Sequence, residues 1–168
     1  MDILELIKTR RSIRKYKLDP IPEEEINKIL EAGRWAPSAS NRQPWSFIVL
    51  RSEETKRKLA ETLTWGGFLS QAPLGIAVVI NPRASNHPVE DGAAATQNML
   101  LEAHSLGLGA CWIGAYGSVN EESAKDILNV PDDKRLLSVI VIGRPAESPQ
   151  STRRKLDEIT FSDRYGRR

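Results

Sequence analysis

The chain has 168 residues, a formal net charge of +2, 40% hydrophobic residues and 27% charged residues. Those values suit one globular domain with a real core, and the small net charge argues against a general nucleic-acid binder. No apolar run reaches the roughly 18 residues that a membrane span requires. The opening MDILELIKTR carries acids within its apolar face and lacks the basic-then-apolar order of a secretory leader. One cysteine excludes an intramolecular disulfide framework, and two histidines argue against a dedicated metal site. The expected location is the cytoplasm.

Residues 2–9 read as a helix with Ile3, Leu4 and Ile7 on one side. Pro22 opens a second helix, whose first turn holds Glu23, Glu24 and Glu25 and whose apolar stripe is Ile26, Ile29 and Leu30; Gly33 is expected to close it. SFIVL, 46–50, reads as a strand, and Ser52 caps a helix running to about Leu63. LGIAVVI, 74–80, is a buried strand ended by Asn81-Pro82. A helix from about Val89 to Leu106 includes the uncharged stretch GAAATQNMLL, so it is central, buried against its own sheet or a partner subunit. Gly107 and Gly109 lead into the strand ACWIG. Residues 120–129 form a short helix before Pro131, and LLSVIVIG, 136–143, is a third apolar strand. From Arg144 onward the chain turns polar and arginine-rich. The loose alternation predicts a layered α/β or α+β domain over 1–168, with 144–168 as a C-terminal docking extension.

Four stretches carry possible chemistry. RRSIRKY, 10–16, places four cations in seven positions. It is either a solvated basic turn or an anion site. Arg10, Ser12 and Arg14 alternate, so an extended backbone points them the same way, and such donors suit a phosphate monoester. WAPSASNRQPW, 35–45, is either a proline-rich connector or a loop whose Ser38, Ser40, Asn41 and Gln43 hold the edge of a flat heterocycle. GLGACWIGAY, 107–116, lacks the third glycine of a dinucleotide fingerprint and follows a helix rather than a strand. It offers instead exposed backbone near Ile113 and Gly114, while Cys111 reads as a buried thiol. STRRKLDEI, 151–159, has Leu156 and Ile159 at helical spacing, so it is expected to dock and bring Arg153 and Arg154 back to the body. No GxSxG, HExxH, paired-cysteine or paired-carboxylate site occurs, which points to a cofactor that carries the chemistry itself.

These stretches resemble, in order and over nearly the whole chain, the nitroreductase family of flavin enzymes. RRSIRKY is similar to its opening phosphate motif, APSASNRQPW to its proline-serine loop, and QAPLGIAVVI to its first core strand. EDGAAATQNMLLEAHSLGLGACWIG is similar to its central helix and following strand, VIGRPAE to its last strand and turn, and RRKLDEI to its C-terminal hook. The resemblance implies an α+β fold, with a central mixed sheet covered by helices on both faces, in an intertwined homodimer holding two FMN molecules between subunits. Arg10, Arg11, Ser12, Arg14 and Arg153 would hold the FMN phosphate. Pro37, Ser38, Ala39 and Ser40, from the other subunit, would line the isoalloxazine ring, with Asn41 and Gln43 as further contacts. The backbone N–H near Ile113 or Gly114 would face flavin N5. The implied activity is NAD(P)H oxidation by ping-pong hydride transfer to quinones, nitroaromatics or similar flat acceptors, with no side chain as proton donor.

The chain departs from longer members in its short segments at 64–73 and 82–88, where they carry excursions that cover the flavin. Ser151 also stands where some relatives have a lysine. Alternatives are a specialised enone reductase, a dehalogenase, a flavin-consuming enzyme, or a non-catalytic FMN binder. A nucleic-acid module would rest on RRSIRKY and the Arg167-Arg168 end, and would bind oligonucleotides in a salt-sensitive way.

Overall fold

Every residue of strand β3 (Leu74–Ile80) is buried, as a continuous apolar run requires when both faces of a sheet are covered. The computed structural model describes residues 2–167, so Met1 and Arg168 lie outside this account. β3 pairs antiparallel with β2 (Trp45–Leu50) on one side and β5 (Arg135–Pro145) on the other. β4 (Gly109–Gly114) adds to the far side of β5, again antiparallel, and the two-residue β1 (Tyr16–Lys17) pairs with the end of β5. The parallel component of the expected mixed sheet is one isolated bridge, Ser12 with Ala110.

The pleat divides the core into two layers. Leu74, Ile76, Val78 and Ile80 point to one face, where they meet α2 (Glu23–Arg34) and α4 (Pro88–Ser105). Ala77 and Val79 point to the other, under α3 (Glu53–Thr62) and α5 (Glu121–Leu128). The register slips between Val78 and Val79, where Leu136 and Ser138 are their partners and Leu137 is the extra residue. The Ser138 hydroxyl there meets Thr96 of α4 at 3.2 Å, so a buried polar pair is satisfied within the layer.

Local signals explain most helix ends. The Ser52 hydroxyl accepts from Thr55 N–H at 3.3 Å and caps α3, and Pro22 precedes α2 with three acids in the first turn. α5 stops one residue earlier than expected, because Asn129 adopts a left-handed conformation (φ 51°) ahead of Pro131. Gly33 does not close α2. It lies buried inside the last turn, where a Cβ would come within 2.9 Å of Met99 and Phe47, so its lack of a side chain lets α2 approach α4 and β2.

α4 matches the expected charge-free central helix, with Gly92, Ala95, Thr96, Met99, Leu100 and Ala103 turned to the sheet. β5 extends to Pro145, two residues into the segment expected to be an extension. Beyond it, every residue from Ser151 to Thr160 is exposed, including Leu156 and Ile159 of the short α6 (Leu156–Ile159). The docking expected of that segment is therefore not made on its own chain, since α6 is too short and too polar to bury a face here. Among the described residues no helix is long and apolar enough to cross a membrane, and no group of histidine, cysteine and acids could hold a metal.

Candidate functional site at the edge of β4

The basic turn follows α1 (Ile3–Thr9) and crosses the start of β4. Ile13 N–H donates to the Ala110 carbonyl at 3.1 Å, and buried Ile13 packs so closely on Gly109 that a Cβ there would come within 2.8 Å of it. That contact fixes the alternation. With Ile13 turned inward, Arg14 shares a cleft with Cys111, and Arg10, Ser12 and Arg14 all lie near enough to influence its thiol. Burial nonetheless holds the thiol above its ordinary pKa, so Cys111 is an inert neighbour, as the sequence indicated. The turn is pinned from outside by Glu147, whose carboxylate accepts from Arg14 N–H (2.6 Å) and Lys15 N–H (3.2 Å). Tyr16 completes it by donating to the Ile13 carbonyl.

Cations crowd this end. Partial burial, then Arg11 and Arg153, lower the pKa of Arg10; burial, then Arg10 and Arg11, lower that of His104, whose Nε2 lies 2.9 Å from the Thr9 hydroxyl. Arg153 thus reaches the field of Arg10 although its own segment is exposed. Arg11 is committed elsewhere: its guanidinium donates to the Lys8 and Arg10 carbonyls and closes the C-terminal end of α1.

At the opposite end of β4 the backbone is bare. The outward carbonyl of Ala110 and the alternation of an antiparallel strand direct the N–H groups of Trp112 and Gly114 away from β5. Of the two expected donors, Ile113 turns its N–H toward β5 while it lines the same cleft as Gly114, whose N–H points outward and where a Cβ would meet nothing within 4 Å. Arg14, Cys111 and Gly114 line one cleft of about 300 Å³, with Trp65 and Phe68 on its far wall.

The loop from Pro37 to Gln43 lies elsewhere. It makes a single 3-10 turn (Ala39–Asn41) in which Ser40, Asn41 and then Gln43 have φ near +50°, unusual for residues other than glycine. Ser38 Oγ accepts from Gln43 N–H at 2.9 Å, and Gln43 Nε2 donates to Asn41 Oδ1 at 3.2 Å. The loop is tied to the first turn of α4, while Thr9 and the basic turn meet the last turn at His104. Asp91 and His104 stand about 20 Å apart along the axis at about 1.5 Å per residue.

A profile described as Nitroreductase family matches residues 7–66 and 60–144. The chain belongs to the nitroreductase family. A protein of Methanothermobacter thermautotrophicus, provisionally named NADH dehydrogenase/NAD(P)H nitroreductase, is 44% identical over 153 residues, 89% of this chain and 80% of that one. The fold matches an FMN-dependent nitroreductase of Clostridium difficile with TM-score 0.92 and 29% identity, covering 97% and 100% of the two chains. A provisional nitroreductase of Desulfovibrio desulfuricans, solved in complex with FMN, matches at 0.87 and 32%, covering 98% of each.

Within this nitroreductase chain, Arg10, Ser12, Arg14 and Gly114 converge on the β4 edge, joined by the field of Arg153. Pro37, Ser38, Ala39, Ser40, Asn41 and Gln43 form a separate group. Sequence reasoning missed Glu147 and Asp91, which hold these two groups by side chain to backbone contacts across 133 and 52 positions. No local pattern marks such partners.

Proposed function

We propose that the chain binds FMN between two copies of itself and uses it to pass hydride from NAD(P)H to a flat, electron-poor acceptor such as a quinone or nitroaromatic. The observation that carries this is the β4 edge, with crowded cations at one end and open backbone at the other. Arg11 and Arg153 both act unfavourably on the charge of Arg10, and a phosphate monoester would relieve that crowding with acceptor oxygens that suit the guanidinium forks of Arg10, Arg14 and Arg153. Ser12 adds a hydroxyl at the same place. Gly114 leaves room for a ring and presents an N–H from a rigid strand, a donor that stabilises negative charge developing on a bound ring without reorganising.

Bound FMN supplies the hydride acceptor and donor that no side chain here provides. The protein's own share is binding, orientation and exclusion of water. The 37–43 loop and Gly114 line separate clefts of one chain, so in this reading a second copy brings its loop to the Gly114 end. Donor and acceptor then use one position in turn, the condition for ping-pong kinetics.

The test is the visible spectrum of the purified protein, followed by anaerobic addition of NADH or NADPH and then a quinone. Bleaching of a flavin band by the nicotinamide and its return with the quinone is the expected result. A colourless protein that takes up no added FMN overturns the assignment.

A further inference from the structure

The loop proposed to meet the flavin ring holds three left-handed residues, Ser40, Asn41 and Gln43, none of them glycine. Such conformations persist only where the surroundings over-determine them. Its internal hydrogen bonds fix the shape but not the position. The position comes from Asp91, which is 5% exposed and sits in the first turn of α4. Its Oδ1 accepts from Ala39 N–H at 2.9 Å, and its Oδ2 accepts from the Ser85 hydroxyl at 2.5 Å. Ser85 Oγ in turn accepts from His87 N–H at 3.1 Å, fixing the segment that enters α4. Both oxygens of one buried carboxylate are thus spent on two different loops, one on each side of a polar cleft of about 160 Å³ lined by Ser40, Arg42, Arg83 and Asn86.

We infer that Asp91 is a positioning residue for the flavin ring: it clamps the 37–43 loop to the 82–88 segment, and so sets where the ring face and the neighbouring substrate wall stand relative to each other. This rests on the FMN reading above. A carboxylate suits the role because a charge-assisted hydrogen bond to a backbone N–H is shorter and stiffer than a neutral one. It is also carried on α4, a rigid element packed on the sheet, rather than on either loop.

The experiment measures binding of FMN and of lumiflavin, which has the ring without ribityl chain or phosphate, to the intact protein. Asp91→Ala is expected to weaken both ligands by the same factor, about tenfold to a hundredfold, and to blur the resolved shoulder of the bound flavin band. Asp91→Asn, which keeps one acceptor oxygen, restores part of the loss. Ser85→Ala, which leaves the carboxylate but frees its other oxygen, gives a smaller loss of the same pattern and serves where Asp91→Ala fails to fold. Arg14→Ala is the contrast: it weakens FMN and spares lumiflavin. Folded Asp91 and Ser85 variants that only lose thermal stability, with lumiflavin affinity and band shape unchanged, overturn the positioning role. Wild-type protein that binds neither flavin overturns the FMN reading instead.

Discussion

The basic turn at 10–15 and the loop at 37–43 are held by different forces, although one ligand is proposed to use both. The turn is cationic, lies on the edge of its own sheet through Ile13 and Gly109, and offers charged side chains to the proposed ligand. The loop has one cation, offers backbone and short polar groups, keeps its strained shape through its own hydrogen bonds and takes its position from one remote carboxylate. Charge can be strong from a distance and tolerates some play, so the phosphate end needs only a rough scaffold. Ring contacts are short-ranged and need shape, which is where the protein has placed its rigidity.

The sharpest way to break this contrast is at Gly114, at the proposed ring end of β4. Gly114→Ala adds a methyl into open space, with no atom within 4 Å, so unfolding free energy should stay within about 0.5 kcal/mol of wild type. The same methyl stands where the ring would lie. A displacement of about 1 Å at a reacting centre costs roughly a hundredfold in rate, so hydride transfer should fall by about that factor while the phosphate end still retains FMN. Stopped-flow reduction by NADH measures it. An unchanged rate would remove Gly114 from the ring site.

A smaller loss is expected behind Gly114. Glu121, 4% exposed, receives both arms of Arg135 at 2.7 and 2.6 Å, and also Gly117 N–H and Leu136 N–H, bracing the turn after β4. Burial pushes its carboxyl up, but Arg135 and the two amides outweigh this and hold it below 4.5. A depressed folded-state pKa gives stability that is full above the unfolded value and fades as pH falls through the folded one. Glu121→Ala should cost about 2–3 kcal/mol at pH 7, less than for a fully buried pair because Arg135 is a third exposed. Chemical denaturation should show the gap between wild type and variant narrowing in acid. A gap independent of pH would contradict the network.

The two halves also differ in how legible they were. Arg10, Ser12 and Arg14 were readable because period-two alternation and charge are both local. The long strands and α4 were readable because β3 is an unbroken apolar run, β5 is broken between Leu136 and Ile142 only by Ser138, and α4 lacks charge over GAAATQNMLL. Left-handed Ser40, Asn41 and Gln43 carried no comparable signal, since no glycine in SASNRQ marks that backbone and Asp91, which places the loop, is 52 positions from Ala39. Gly33 was misread for a related reason: a glycine near a helix end serves equally as terminator or as close-packing surface, and Met99 and Phe47 decide which. The exposed 151–160 segment marks the same boundary, because apolar spacing states that a face exists and not what covers it.

The finest probe of the comparison is a histidine. His104 touches the Thr9 hydroxyl at the phosphate end, and burial followed by Arg10 and Arg11 keeps its pKa below the ordinary 6.5. A bound phosphate dianion offsets those arginines, favours the charged imidazolium and moves the pKa upward. By reciprocity FMN should bind slightly more tightly as pH falls through the His104 transition, whereas lumiflavin, which brings no phosphate, should show no such dependence. NMR titration of His104 with and without FMN reads the shift directly. If lumiflavin moves His104 as much as FMN does, the cations at 10–14 do not face a phosphate and the assignment of the two ends is reversed.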